Sequence, residues 1–536
     1  MKPVTIERVL VIGAIVATLL VFTTTLSVYP PPNCDETWYA STASSLLERG
    51  TFGVGVFPDG EPYLQDVNWV PFGRSYGFGL AAMFQLFGVS LLVARTYSLL
   101  GWALATIFVF LLGTRAYHRR VGVVAALLFA TSTKALFTAH LARPESWTTF
   151  AVLAATWGTL VLVQGEHIRL KAIFFTGLLA VWPADFHGNG LWFTLGLIYV
   201  VIVELGMRRK LWRQLSLYAL GVLVGLVLWF ALHLPGVNLG EVLQFIDGYR
   251  YTPVSSSSSI ASWWRNFATL SDWARTVFWT AGGPLSLVEA TFALFGLGFV
   301  LYRRALQDRV LGLLALISVL AFGLFFTQRF LQYGILWSPF WYLLGVGALY
   351  ELGGRFKLPI GLSAPVNQRA ILAAVTLLLS AQLLGDLWLV YRHRGGDFST
   401  MTDRIATRIP SESRVMADPV WWWGLRTDHE YMTDEYTLIL TKTDDPVVRT
   451  FLGLSTESAT VPALSRAFEL LQPEYVVLDE AVGCLDPQAS IWPEVQSIVM
   501  DKCTAVDSVS GAWHGELGKE ASQLAQISTV YACTAW

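Results

Sequence analysis

Charge is scarce in this chain of 536 residues: 14% are Asp, Glu, Lys or Arg, against about 25% in soluble globular proteins. With 54% hydrophobic residues, that scarcity excludes an ordinary soluble protein and points to an integral membrane protein. The net charge is only −2, so the basic footprint of a nucleic-acid binder is missing. No Gly-rich phosphate loop, CxxC zinc spacing or HExxH helix occurs, which removes the familiar nucleotide and zinc-hydrolase signatures. Internal repeats of about 20–50 residues are not evident. A signal-peptide cleavage site is lacking too. Lys2 and Arg8 precede an apolar run that ends in "YPPPNC". At about 20 residues it is longer than the roughly 7–15 of a signal core, so it reads as a retained transmembrane helix.

Long apolar runs are abundant. About eleven are long enough to span a bilayer. They lie near 9–29, 91–114, 121–138, 146–164, 170–184, 189–206, 215–233, 284–302, 310–327, 332–350 and 370–391. With the N-terminus inside, the inward loops read "RAYHRR", "HIRLK", "MRRKLWR", "YRRALQDR" and "RFK" with Arg369. All are basic, which is the positive-inside pattern. The expectation is a multi-pass protein of a cell (inner) membrane with a cytoplasmic N-terminus.

The outward side then holds the first loop, "TKALFTAHLARPE", "PADFHGNG", a long loop near 234–283, "TQRFLQY" and everything after about 392. Segments 36–50 and 75–88, and the aromatic-rich 262–279, read as helices lying in the interface. In the first of these the apolar face is expected from Trp38, Leu46 and Leu47. "SSSSS" at 255–259 reads as a flexible segment. The division is a transmembrane domain, 1–391, and an extracytoplasmic α/β domain, 392–536. In the latter, strands are expected at 414–418, 430–434 and 475–480 and a helix at 461–472. The fold class is mainly α: about eleven spans, interfacial helices and this α/β domain. Cys34, Cys484, Cys503 and Cys533 all face outward, which suits an oxidising compartment. Cys484–Cys503 is one admissible disulfide among three ways of pairing four cysteines.

Polar groups collect at the outward mouths of the spans. Asp35 and Glu36 follow the first span. His140, Arg143 and Glu145 precede the fourth, Asp185 and His187 lie between the fifth and sixth, and Gln328, Arg329 and Tyr333 enter the tenth. Carboxylates, histidines and arginines at one depth beside interfacial helices suit a substrate that is half lipid and half polar. The chemistry that fits is transfer from a lipid phosphate. A guanidinium holds phosphate bidentately and stays charged, and a carboxylate removes the proton of an attacking hydroxyl. Glu145 with His187 could hold a divalent metal such as Mg, Mn or Zn.

The segments "DETWYASTASSLLERG", "FGVSLLVARTYSLLGWALATIFVFLL", "HLARPESWTTFAVLAA", "FHGNGLWF" and "RFLQYGILWSPFWYLL" resemble, in order and topological side, GT-C membrane glycosyltransferases. The branch is that of protein O-mannosyltransferases and aminoarabinose transferases. The resemblance covers about 30–350. It implies an inverting transfer from a polyprenyl-phosphate sugar at the outer face. Asp35 would be the catalytic base and Glu145 the second acid, with Glu36, Arg143, His187, Arg329 and Tyr333 binding substrate. "FHGNG" lacks the proline of the family's turn, and the C-terminal domain matches no accessory domain of relatives. The acceptor is therefore left as a glycan, a lipid or a protein.

Each residue also has a plainer role. Asp35 could cap its helix, Glu36 and Glu145 could be first-turn acids, and Arg143 could snorkel to headgroups. His140 reads as a structural loop residue, and "WWW" at 421–423 as packing. Arg329 stands against the positive-inside bias, which favours a bound phosphate. The competing function is a non-catalytic, glycosyltransferase-like subunit of a membrane complex. A lipid flippase would need ionisable residues deep in the spans, where the sequence has few.

Overall fold

The computed structural model describes residues 3–30, 32–53, 55–56, 73–165, 169–206, 212–233, 286–325, 333–355, 364–393, 398–434, 463–479, 492–512, 525–534 and 536. The helices are α1 (Pro3–Thr24), α2 (Cys34–Arg49), α3 (Arg74–Phe87), α4 (Leu91–Ala116), α5 (Arg119–Ala130), α6 (Thr133–Ala139), α7 (Glu145–Gln164), α8 (Leu170–Phe186), α9 (Gly190–Gly206), α10 (Trp212–His233), α11 (Ser286–Arg303), α12 (Leu306–Phe325), α13 (Gly334–Arg355), α14 (Ala364–His393) and α15 (Phe398–Ala406). Then come β1 (Arg414–Ala417), α16 (Trp422–Leu425), β2 (Glu430–Thr433), α17 (Ala463–Leu471), β3 (Tyr475–Asp479), α18 (Trp492–Lys502), β4 (Cys503–Ala512) and β5 (Ala525–Cys533). They form two compact units. The first is Met1–Thr25, Pro71–Tyr76 and Arg95–Leu389; the second is Leu26–Val70, Gly77–Ala94 and Val390–Trp536.

In the first unit a helix stands on every apolar run read as a span. Among the described residues, four helices are long and apolar enough to cross a membrane: Leu91–Ala116, Glu145–Gln164, Trp212–His233 and Ala373–Tyr391. A fifth arises if α5 and α6, bent by 61°, count as one span. Apolar side chains such as Leu223 and Val227 on α10 and Leu377 and Leu384 on α14 are exposed, as lipid-facing residues must be. With lipid as apolar as leucine, such helices associate by close packing at small residues. α8 and α10 do so at Gly177 and Gly221. A Cβ on Gly177 would meet the Tyr218 carbonyl oxygen at 2.2 Å, and one on Gly221 the Phe174 carbonyl oxygen at 2.1 Å.

The helix bundle also buries polar groups that the sequence reading undervalued. Lys134 pairs with Glu289, which accepts a hydrogen bond from Tyr342 (3.0 Å). Gln382 donates to Tyr342 (2.9 Å) and accepts from Thr131 (2.7 Å). Thr133 donates to Asp386 (3.1 Å). All seven are buried, so ionisable residues do lie within the bundle. They are drawn into a hydrogen-bonded network, as buried polar groups must be.

The second unit contains a five-stranded sheet in the order β2-β1-β3-β5-β4. β1 pairs in parallel with β2 and β3, while β5 runs antiparallel to β3 and β4. Val415, Met416, Ala417, Val476, Val477 and Leu478 are buried in unbroken runs, as expected of strands covered on both faces. Asp479, at the end of β3, accepts hydrogen bonds from Trp421 (3.1 Å) and Ser528. Burial first, and Asp418 next, push its carboxyl well above the usual range. Trp421 is core, stacked on Phe398.

One expectation needs correction. Cys503 bonds to Cys533, not to Cys484: β4 and β5 place the two cysteines directly opposite each other, a pairing that spacing alone cannot show. Cys34 is also disulfide-bonded. The face of α2 buried in the protein is its small, polar one, which leaves the expected apolar face to the lipid side. Thr37, Ala40, Ser41, Thr42, Ala43, Ser44 and Ser45 are buried while Leu47 is exposed. Segments 255–259 and 262–279 and Cys484 lie outside the described residues.

Candidate active site

In the second unit, the chain enters α2 through a capping box. The Asn33 side chain accepts the Asp35 amide (3.0 Å), and the Glu36 carboxylate accepts the Asn33 amide (2.8 Å). The cap is therefore Asn33, not Asp35, and the Glu36 carboxylate, fully buried, has a structural task at the helix start. Asp35 is half-buried in the first turn. Asn33 followed three positions later by Glu36 is a capping-box signature legible in the sequence.

In the first unit, four sequence-predicted residues come together. Arg143 ends the loop before α7 and Glu145 begins that helix. They form a buried bidentate pair, Nη2 to Oε1 at 2.7 Å and Nε to Oε1 at 3.0 Å and to Oε2 at 3.3 Å. Arg143 is 2% and Glu145 0% exposed, so the arginine does not snorkel. Burial opposes the Arg143 charge, but Glu145 and then Tyr333 outweigh it and hold the guanidinium above its ordinary pKa. Tyr333, just before α13, hydrogen-bonds with Arg143 and lies beside Asn189. Burial raises its phenol, partly offset by Arg143. Its ring lies 5.9 Å from that of His187, which is within electrostatic reach of Glu145. Burial lowers the His187 pKa to about 4, with Glu145 opposing and Arg143 assisting, so the imidazole is neutral at pH 7. Asn189, 2% exposed, joins the group unforeseen; "HGN" offered only a turn. Arg329 lies outside the described residues.

The supports of this cluster follow from local sequence. Ser98 on α4 donates to the Arg143 carbonyl (3.1 Å) and accepts its amide (3.2 Å). Trp147 donates to the Tyr97 carbonyl (2.9 Å). Beneath Tyr333, a Cβ on Gly334 would meet the Lys134 side chain at 2.6 Å, so the Lys134–Glu289 pair abuts the start of α13. Asp185 belongs to a separate group: it accepts the Ser75 amide (3.1 Å), pairs with His233 (3.4 Å) and faces Arg74. Fully buried His140 is structural, bonded to Thr25 (3.0 Å) and the Leu136 carbonyl (2.7 Å).

The expected metal ligands, Glu145 and His187, are neighbours, yet both carboxylate oxygens already accept from Arg143. Among the described residues no group of three His, Cys, Asp or Glu could hold a metal ion. These residues fit a carboxylate that orients an arginine better than a metal centre.

The fold of this chain is similar to that of solved GT-C glycosyltransferases. Among solved structures, ArnT from Cupriavidus metallidurans in the apo state superposes with a TM-score of 0.61 at 15% identity, over 97% of both chains. The same protein bound to undecaprenyl phosphate gives 0.60 at 13%, again over 97% of both. The oligosaccharyltransferase of Archaeoglobus fulgidus complexed with Zn and sulfate gives 0.52 at 13%, over 87% of this chain and 67% of that one. Its complex with an inhibitory peptide and a dolichol-phosphate gives 0.51 at 14%, over 87% and 69%. At these identities the likeness concerns the fold. No protein-family profile matches the chain, and neither does any curated protein sequence.

Proposed function

We propose that this protein transfers a sugar from a polyprenyl-phosphate donor to an acceptor hydroxyl of a glycan, lipid or protein at the outer face of a membrane, with inversion. The observation that carries the reading is the buried Arg143–Glu145 pair with Tyr333 and His187. The chain that holds it superposes over 97% of its length on an ArnT crystallised with undecaprenyl phosphate.

In this reading Asp35 takes the proton of the acceptor hydroxyl as its oxygen attacks the anomeric carbon. The new C–O bond forms on the face opposite the phosphate. The old anomeric C–O bond breaks, and its electron pair leaves with the polyprenyl phosphate. Arg143 and Tyr333 donate hydrogen bonds to the charge that develops on that phosphate, aided by Arg329, which shortly precedes Tyr333 in sequence. Glu145 fixes the plane of the Arg143 guanidinium, so the donors are oriented before the reaction begins. Neutral His187 packs beside Tyr333 without adding charge.

The test is release of polyprenyl phosphate from synthetic polyprenyl-phosphate sugars by the protein in proteoliposomes. Asp35→Asn is expected to lose at least ~100-fold, the usual contribution of a general base. Glu145→Gln is expected to lose comparable activity, and Arg143→Lys, a point charge without the fork, to fall as well. Wild-type turnover by Asp35→Asn would remove the base assignment. No turnover of any donor, with tight co-purification of other subunits, would favour the non-catalytic alternative.

A further inference from the structure

The second unit contains a polar cavity of about 220 Å³ between the C-terminal half of α2, α16 and the start of β2. Ser44, Ser45, Glu48, Trp422, Arg426 and His429 line it. Four of these are already in contact with one another. Arg426 donates to Ser44 (3.1 Å) and Glu48 (3.3 Å), with its guanidinium 4.9 Å from the centre of the Trp422 ring, and Ser44 donates to Glu48 (2.6 Å). Two are not satisfied. Ser45, 2% exposed, has a hydroxyl with no hydrogen-bond partner. His429, 8% exposed, turns one ring nitrogen towards the Pro410 carbonyl and leaves the other without a hydrogen-bond partner. Buried polar groups normally have a partner, so a cavity beside two that lack one has room for a ligand that supplies it.

The lining restricts what that is. Arg49 and Arg426 share the lining with Glu48 and Glu430, the last also paired with Arg414 (3.2 Å), so the wall presents both signs of charge rather than a purely cationic anion site. Ser and neutral His each offer a donor and an acceptor, Arg donates and Glu accepts. This mixture suits hydroxyl groups, which do both. The volume is below the roughly 300–1,000 Å³ that holds drug-sized ligands, and fits one sugar ring. Trp422 is 3% exposed under Arg426, so recognition runs through hydrogen bonds rather than stacking. α2 connects the cavity to Asp35: Ser44 and Ser45 follow it by about 14 Å along the helix axis, at 1.5 Å per residue.

We infer that this cavity binds one neutral sugar residue of the acceptor, which is a glycan, at a distance from its reacting hydroxyl. The inference rests on the transferase reading for its link to Asp35. Binding at a remote unit of the acceptor supplies energy that helps to position the reacting end.

The experiment is saturation-transfer NMR and calorimetry on the full chain in nanodiscs. The probes are methyl glycosides of glucose, mannose, galactose and N-acetylglucosamine and their short oligomers. The expected result is saturable binding of one series, tighter for oligomers, and weakened at least tenfold by Ser45→Ala and by His429→Phe. Because Ser45 makes no hydrogen bond, Ser45→Ala should keep or raise the melting temperature, which separates lost binding from lost folding. Absence of saturable binding, or binding unchanged in both variants, overturns the inference. Binding of monosaccharides with no gain for oligomers overturns the assignment to an acceptor chain. Asp35→Asn should bind the sugars as wild type does. Sugar binding in a protein without transfer would sink the transferase reading and leave the cavity's ligand standing; transfer without sugar binding would do the reverse.

Discussion

His187 carries a charge prediction of its own. Its folded pKa of about 4 lies below the ordinary 6.5 because burial disfavours the imidazolium. A group depressed in this way contributes stability above its unfolded pKa, and that contribution fades as pH falls through the folded value. The contribution is thus whole above about pH 6.5 and lost towards pH 4. Wild type should lose more melting temperature across that window than His187→Gln does, and the difference between the two curves isolates this group from the titrating carboxylates. Parallel curves would mean that the ring is not held neutral. Residues such as His187, Arg143, Glu145 and Tyr333 were legible in the sequence because ionisable groups at span mouths stand out against an apolar background. Asn189 was not, since an uncharged amide outside a motif stands out only once its neighbours are placed, whereas Asn33 carries the capping-box spacing to Glu36. The Lys134–Glu289–Tyr342 network was hidden by distance along the chain: the first two are separated by 155 positions.

At the scale of elements, the apolar runs predicted where helices form, because a bilayer demands length and hydropathy together. Strands β1 to β3 were visible as short apolar runs between polar ones, whereas β4 and β5, carrying Asp507, Ser508, Ser510, Ser528 and Thr529, lack that contrast. Strand order and the Cys503–Cys533 bond depend on register, which no single segment encodes. Gly177 tests the helix packing. Its hydrogen faces the Tyr218 carbonyl at a separation that leaves no room for a side chain, so Gly177→Leu must push α8 from α10. Overpacking of this kind costs about 1–3 kcal/mol, occasionally more. The expected outcome is a lower melting temperature in nanodiscs and faster proteolysis, and Gly221→Leu should behave alike. Wild-type stability in both variants would mean that the helices do not approach so closely.

For the whole molecule, the basic loops between the spans make a prediction about sidedness. Single-cysteine variants at exposed positions should react with an impermeant maleimide from outside when placed after residue 392, for example at Glu469, and only after permeabilisation when placed at Arg119. The reverse pattern would invert the orientation and the proposed outer-face chemistry with it. The Arg143–Glu145 pair has a consequence in time rather than in space. On the proposed reading, an arginine that keeps its own carboxylate never holds the departing phosphate alone. Once the sugar has moved on, Glu145 competes for the guanidinium and shortens the stay of the spent carrier. The same contact that aims the donors would thus also hasten product exit, and a variant that frees Arg143 should bind polyprenyl phosphate more tightly yet turn over more slowly.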